Sequence, residues 1–475
     1  MTKKLVRDLS KLIGKDKVSD DELIIRLYSK NAVYMEGKAI AVVFPYSSTD
    51  VSKIVRYAYN HDLKIYPQGS TSELVGSSTP HTDGIILSFE RMNRIKETNL
   101  IDSYVVVEPG VKIFELNNHL AKDGYMFPID PASVKIASVG GAINSGSGGM
   151  QGAKYGSIRD WVLELEVVIA DEGGSILRLG SKTSKSRQGY DLVRLIVGSE
   201  GTLALVTEAT LKITPIPENT VIAAAFFDSL EDLMNSAIEI KKRRMDILLM
   251  EFVEDKSVDI AIKMLESKVT GVGHYLLVGV NTAVEARSRV INSLAESMKL
   301  HNSNRIYTAR SMSEAEKMGL FDIRRNYYLA SIRLASESRS DPFSGIKVYV
   351  EDISVPPSQL VEAVKRLRGL SEKYNLSMTL AGHIGDGNLH PVVWIEEKDE
   401  SKREALVNMV SDIMMLALEL GGTVSSEHGI GLTKKEGLVM EFNSKESSKA
   451  IELMKKIKRL FDPKGILNPD KMFIW

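Results

Sequence analysis

Apolar residues recur along this chain with two periods, about 3.6 and 2, and the alternation between them predicts a mixed α+β protein. Two amphipathic stretches, residues 5–13 and 20–28, read as short helices. Residues 39–44 then form an apolar strand, and residues 49–60 a helix with Thr49 as N-cap and Ile54, Tyr57 and Ala58 on its buried face. Strands follow at 64–66, 84–89 and 104–108, the last stopped by Pro109-Gly110, and residues 111–122 make a helix closed by Gly124. Residues 161–170 alternate, and the turn 171–174 leads into a strand at 175–179, which predicts a hairpin. Segments 203–206 and 208–214 continue the sheet as far as Pro215-Ile-Pro217. Beyond that boundary, strands at 221–227, 247–253 and 275–280 alternate with helices at 230–242, 256–267 and 283–299. This order predicts a split βαβ sheet with helices on one side.

Composition narrows the function. With 475 residues, 43% of them hydrophobic, the chain can bury large cores and form two or three domains. Its formal net charge of −1 gives no global field for nucleic acid or an anionic membrane. The basic runs Lys241-Lys-Arg-Arg244 and Lys455-Lys-Ile-Lys-Arg459 lie in helical patterns and read as solvated faces; a weak peripheral membrane contact is the sharper alternative. Cysteine is absent, which excludes disulfides, cysteine nucleophiles and a cysteine-ligated iron–sulfur cluster within this chain. The start lacks an apolar signal core and no apolar run approaches the roughly 18 residues of a membrane span, so a cytoplasmic protein is expected.

Three segments are rich in glycine. Residues 139–156 hold so many that neither a packed helix nor a strand is expected; their exposed amides suit a diphosphate or a flavin. Residues 67–76, just after a strand, and Gly198-Ser-Glu-Gly201 are further candidate cradles. No Rossmann fingerprint or Walker pattern occurs, which disfavours a dinucleotide site of the Rossmann type.

The densest chemistry lies in Ala381-Gly-His-Ile-Gly-Asp-Gly-Asn-Leu-His390 and Ser425-Ser-Glu-His-Gly-Ile-Gly431, which carry three of the eight histidines. His383 and His390 are seven apart and would face opposite sides of a continuous strand, so the segment must bend. A turn at Gly385-Asp386-Gly387, shaped by Asp386, can bring both imidazoles to one side. Glu427 can complete a three-ligand metal site with a position open for substrate, and His428 can stand beside it as an acid/base group. Imidazole plus carboxylate suits Zn²⁺, Mn²⁺ or Fe²⁺, with zinc or manganese favoured.

Five ordered motifs carry a resemblance: Asp130-Pro131 with the Gly140 to Gly156 loop, Val197-Gly-Ser-Glu-Gly-Thr202, Gly382-His-Ile-Gly-Asp-Gly-Asn-Leu-His390, Glu427-His-Gly-Ile-Gly431, and Phe461-Asp-Pro-Lys-Gly-Ile-Leu-Asn-Pro469. Over nearly its whole length the chain resembles the vanillyl-alcohol-oxidase and PCMH-type FAD flavoproteins. Within them it is most similar to the branch of D-lactate dehydrogenase, glycolate oxidase FAD subunit and D-2-hydroxyglutarate dehydrogenase. The resemblance implies an N-terminal helical cap (1–34), a PCMH-type FAD-binding domain (35–214), a ferredoxin-like α+β substrate or cap domain (215–420), and a C-terminal helical segment returning to the flavin (421–475).

By position, Pro67, Gln68, Gly69, Ser70, Thr71, Ser72, Leu74 and Gly76 resemble the family's pyrophosphate loop. Pro131, Gly140, Gly141, Ser145, Gly148, Gly149 and Tyr155 would line the cofactor, Glu200, Gly201 and Val206 would touch its adenine side, and Asn468 resembles the asparagine near the ring. His383, His390 and Glu427 match the divalent-metal ligands of metal-dependent members, and Asn388 and His428 match substrate-side groups. The first cradle departs from the family in its Gln68, Ser70, Thr71 and Glu73. The histidine that carries covalent flavin in some relatives has no counterpart there, which argues for non-covalent FAD.

The implied reaction is oxidation of a D-2-hydroxy acid, D-lactate first, to the 2-oxo acid, with hydride passing to flavin N5 and His428 taking the hydroxyl proton. Arg324, rather than its neighbour Arg325, matches the family's arginine for the substrate carboxylate. Lys347 lies near where hydroxyglutarate enzymes place a lysine, but the register puts Val350 there, which favours a small monocarboxylate. Glycolate and D-2-hydroxyglutarate are the alternative substrates; an ether-lipid-synthase-like transferase and an FAD-bearing electron-transfer subunit are the rival functions. The electron acceptor is unidentified, and a homodimer is compatible with the sequence.

Overall fold

Residues 41–43, 64–68 and 84–88 are joined by connections long enough for parallel pairing, a helix between the first two and a loop between the last two. The computed structural model, which describes residues 2–33, 35–341 and 344–475, pairs them so: Gly84–Ser88 lies parallel to both Ala41–Val43 and Lys64–Gln68, with Val18–Ser19 antiparallel at the edge. The helix between the first two strands, Ser48–Asn60, is capped by Ser47, whose side chain accepts from the Asp50 amide. Thr49 therefore stands inside the helix rather than capping it; the hydroxyl two positions earlier has the extended backbone a cap needs.

Contacts divide the chain into two units, one of Met1–Gly149, Gly156–Ile216 and Glu427–Trp475, the other of Met150–Tyr155 and Pro217–Ser426. The first also holds a five-stranded antiparallel sheet, in the order Ile95–Asn99, Tyr104–Val107, Leu205–Lys212, Val162–Val168, Ile176–Gly180. The expected hairpin at residues 171–174 joins its last two strands. A register shift between Val206 and Glu208 marks the place where two strands were expected instead of one. The C-terminal segment comes back to the first sheet: Ile65 donates to the Ile466 carbonyl and Asn468 to the Ile65 carbonyl, both at 2.8 Å.

The glycine-rich stretch holds a surprise. Val139–Ser145 is a helix, capped by the Ser138 side chain on the Gly141 amide and ended by Gly146 at φ 72°. Glycine weakens isolated helices by about 1 kcal/mol per residue. Here it permits close packing that offsets the cost: a Cβ on Gly140 would lie 2.5 Å from Pro109 Cβ.

The second unit is built on one antiparallel sheet, in the order Ser303–Ala309, Thr220–Phe227, His274–Asn281, Ile247–Val253, Met378–His383, Asn388–Glu396, Ile346–Val350, with Ile353–Ser354 beside Asn388–Glu396. The expectation of helices on one side is corrected. Along Thr220–Phe227, Val221, Ala223, Ala225 and Phe227 enter one core with helices Leu230–Lys242, Arg287–Leu300, Leu360–Tyr374 and Glu400–Glu419. Ile222, Ala224 and Phe226 enter another with helices Asp255–Leu265 and Tyr327–Glu337. An eight-residue strand buried throughout needs cover on both faces, and its unbroken apolar run carries that information. Among the described residues no helix is long and apolar enough to cross a membrane.

Candidate functional site

In the second unit, Met378–His383 and Asn388–Glu396 pair antiparallel across a turn in which Gly387 adopts φ 95°. The hairpin brings His383 and His390 to one sheet face, their ring centroids 5.2 Å apart and the rings nearly perpendicular. Glycine is required inside it, because a Cβ on Gly382 would lie 2.2 Å from the Asn388 carbonyl oxygen. Asp386 shapes the turn, accepting from the Asn388 amide at 3.3 Å. Register sets who faces whom. Glu251 stands opposite His383 in the ladder, and Ala381 opposite His390.

The same face gathers Arg324, from helix Asp322–Arg325, and Tyr327, whose hydroxyl donates to the His390 carbonyl at 3.0 Å. Burial raises the Tyr327 hydroxyl's pKa well above the tyrosine range, so it remains a donor. Arg324 is 8% exposed and donates from Nε to Glu251 at 2.7 Å, with Nη2 at 3.4 Å from His383 Nε2. Arg325 points out and pairs with Glu316 on the surface. Neighbouring positions on a helix diverge by about 100°, so only one of the two can turn inward. Asn388 is 2% exposed, and its Oδ1 receives no hydrogen bond among the described residues. Alternation along Ile346–Val350 packs Val350 with Val348 against the core beneath this face, and it turns Lys347 to the other side.

In the first unit the cradle after Lys64–Gln68 divides in two. The amides of Gly69, Ser70, Thr71, Ser72 and Leu74 are unbonded among the described residues, and Thr71 holds φ 51°. Those of Val75, Gly76 and Ser78 are occupied by the Glu73 carboxylate, at 2.8, 2.6 and 3.3 Å. Gln68 is occupied as well, donating to the carbonyls of Tyr28 and Ser78. Lys112, half-buried, donates to Ser70 Oγ at 2.8 Å, and burial holds its ammonium below the usual lysine range. A Cβ on Gly69 would strike Ser138 Oγ at 2.2 Å, so the cradle packs directly on the side chain that caps helix Val139–Ser145. Free amides beside one ammonium suit a diphosphate, and the cofactor implied by the motifs fits this part of the loop.

The remaining glycines of that region lie close to charge. A Cβ on Gly148 would stand 3.1 Å from Glu427 Oε2, and one on Gly149 2.4 Å from the Asp130 carbonyl beside Pro131. His428 Nε2 is 3.8 Å from Glu427 Oε1. Ser145 Oγ meets the Ser147 hydroxyl at 2.7 Å. Pro67 packs against Gly201, and Val206 is buried in the five-stranded sheet. Asn468 donates to the carbonyls of Ser77 and Glu200, at 2.8 and 2.6 Å. Tyr155 belongs to the second unit, in the short helix Gly152–Tyr155.

Residues 39–180 match the family model described as the FAD binding domain, and residues 216–472 the one described as FAD linked oxidases, C-terminal domain. The chain is 33% identical to the glycolate oxidase subunit GlcD of Bacillus subtilis, over 100% of this chain and 97% of that relative. The chain belongs to the FAD-linked oxidase family. The D-lactate dehydrogenase of Archaeoglobus fulgidus is 33% identical over 91% of this chain and 90% of its own length. The D-2-hydroxyglutarate dehydrogenase of Stutzerimonas stutzeri is 29% identical over 99% of this chain and 98% of its own. The solved structure of p-cresol methylhydroxylase, 17% identical, superposes with a TM-score of 0.77 over 99% of this chain and 96% of that one, which establishes the PCMH-type fold. This FAD-linked oxidase is thus an oxidoreductase of the D-lactate, glycolate and D-2-hydroxyglutarate dehydrogenase branch.

Sequence reading missed Glu251, Lys112 and Glu73 as site residues. Glu251 had a visible signal: it is the one charged residue in an otherwise apolar strand, Ile247–Val253. Lys112 carried none, because its partner Ser70 is 42 positions away.

Proposed function

We propose that this FAD-linked oxidase oxidises a small D-2-hydroxy monocarboxylate, D-lactate first, to the 2-oxo acid. The observation that carries the reading is the single sheet face that collects two imidazoles, a buried arginine and an amide oxygen without a donor. Arg324 would hold the substrate carboxylate through the edge of its guanidinium that Glu251 leaves open; Nη1 donates no hydrogen bond among the described residues. Asn388 would receive a substrate or ligand donor at Oδ1. His383 and His390 offer the nitrogen donors of a divalent-metal site that Glu427 would complete, with zinc or manganese suited to that set.

Bound FAD would supply the hydride acceptor, and the divalent ion would lower the pKa of the substrate hydroxyl. His428 would accept the hydroxyl proton as general base, a contribution of roughly 10² to 10⁴ in rate. The amides of residues 69–72, with Lys112, would hold the cofactor's diphosphate without a covalent link.

Lys347 disfavours a second substrate carboxylate, since it lies on the sheet face opposite Val350 and the histidines. D-2-Hydroxyglutarate is therefore a weaker reading than D-lactate or glycolate. The test is anaerobic addition of D-lactate, glycolate and D-2-hydroxyglutarate to the FAD-loaded protein, with and without a chelator. Bleaching of the flavin by D-lactate, abolished by the chelator and restored by Zn²⁺ or Mn²⁺, is expected. If no small 2-hydroxy acid bleaches the flavin, the reading fails.

A further inference from the structure

Glu251 is 0% exposed, in the middle of the second unit's sheet. A carboxylate there is tolerated only with partners, since stripping its water costs several kcal/mol by order of magnitude. Among the described residues its carboxylate has two partners. His383 Nδ1 lies 2.9 Å from Oε1 and 2.8 Å from Oε2, and Arg324 Nε donates to Oε2 at 2.7 Å. Cross-strand register makes the contact rigid, because Glu251 and His383 are direct partners in the ladder.

Each contact fixes one feature of the site. A carboxylate can only accept, so the Nδ1 that faces it carries the proton and the lone pair of His383 is at Nε2. Arg324, gripped along its Nε edge, is left with its Nη1 end for a ligand. We propose that Glu251 is the positioning residue of this site, setting the tautomer and orientation of His383 and the open edge of Arg324 through one buried carboxylate. This rests on the reading of His383 as a metal ligand and Arg324 as the cation for the substrate carboxylate.

Glu251→Gln tests it with little change of volume. The amide offers one acceptor oxygen where two donors compete and turns an NH2 toward the other. Chelator-competition titration of Zn²⁺ and Mn²⁺ into metal-free protein should show affinity reduced about 10- to 100-fold, the usual effect of removing a ligand's outer partner. KM for D-lactate should rise more than kcat falls, with flavin content unchanged. Metal affinity within twofold of wild type, together with an unchanged KM, overturns the proposal. If wild-type protein binds neither ion, the metal reading fails by itself and KM alone decides the role of Glu251. Should Glu251→Gln not fold, ¹⁵N-labelled histidine in the metal-free wild type is decisive, with His383 assigned by its loss in His383→Asn. A proton on Nδ1 supports the proposal, and one on Nε2 overturns it.

Discussion

The Glu200 carboxylate accepts the Gly431 amide at 2.9 and 3.0 Å through its two oxygens, and takes the Ile430 amide at 2.6 Å as well. One glycine motif of the first unit thereby fastens the segment that bears Glu427 and His428. Complete burial pushes the Glu200 pKa from 4.5 up to about 7, against the pull of those amides. An acid with a raised folded pKa binds its proton more tightly when native. Its stabilising contribution is full below about pH 4.5 and is lost as pH climbs through about 7. Urea unfolding should therefore show wild type losing stability between pH 5 and 8, by roughly 3 kcal/mol at most, relative to Glu200→Gln. Parallel stability profiles for the two proteins would exclude this assignment. Lys471, lowered by burial to about 8, acts in a separate window, adding stability as pH rises above 8.

Lys112 reaches the cradle of unbonded amides through its 2.8 Å bond to the Ser70 hydroxyl. Replacing it with methionine keeps the stem and removes the charge. FAD affinity, followed by flavin fluorescence on dilution, should fall about tenfold, and the remaining affinity should depend less on salt. An unchanged salt dependence would mean that the ammonium does not face the cofactor's diphosphate.

Much of this organisation was legible in the sequence, for identifiable reasons. The His383 to His390 bend followed from parity, since seven positions put side chains on opposite faces unless a turn intervenes. The choice of Arg324 over Arg325 followed from the helical period once the family's arginine had been matched. Tertiary effects were not legible. The helix at Val139–Ser145 forms because Gly140 packs against Pro109, a contact 31 positions away that no local propensity reports. The two-sided sheet was readable in the unbroken run of Thr220–Phe227, but an apolar run does not say which helices cover it.

Arg324 and Arg325 give a paired test of the same argument. Arg324→Lys keeps the charge but loses the planar fork and the fixed Nε bond to Glu251. kcat/KM for D-lactate should drop about 100-fold or more, a loss on the order of 3 kcal/mol. Arg325→Lys disturbs a surface pair with Glu316, worth less than about 1 kcal/mol, and a cation–π contact with the Phe321 ring, and kinetics should stay within twofold of wild type. Equal losses in both variants would contradict the inward assignment of Arg324.

His428 should be separable from cofactor binding. His428→Ala is expected to keep its flavin spectrum and its metal content while flavin reduction by D-lactate slows at least 100-fold, the lower end of a general base's contribution. Stopped-flow bleaching measures the step directly. Reduction at the wild-type rate would remove His428 from the proton transfer.

Gly382 offers the sharpest test of the hairpin itself. A Cβ there would lie 2.2 Å from the Asn388 carbonyl oxygen and 3.1 Å from Leu389 Cα, backbone atoms that cannot swing aside. Gly382→Ala must therefore push the two strands apart, at a cost of about 1–3 kcal/mol. The displaced strand carries Asn388 and His390, so metal affinity should fall together with thermal stability. Gly369→Ala is the counterpart: that glycine sits in helix Leu360–Tyr374 with nothing within 4 Å of the added methyl, and the change should stabilise by about 1 kcal/mol. Opposite shifts in melting temperature from one chemical substitution would show that strand separation, not loss of glycine as such, disrupts the paired histidines. Two shifts of the same sign would refute it.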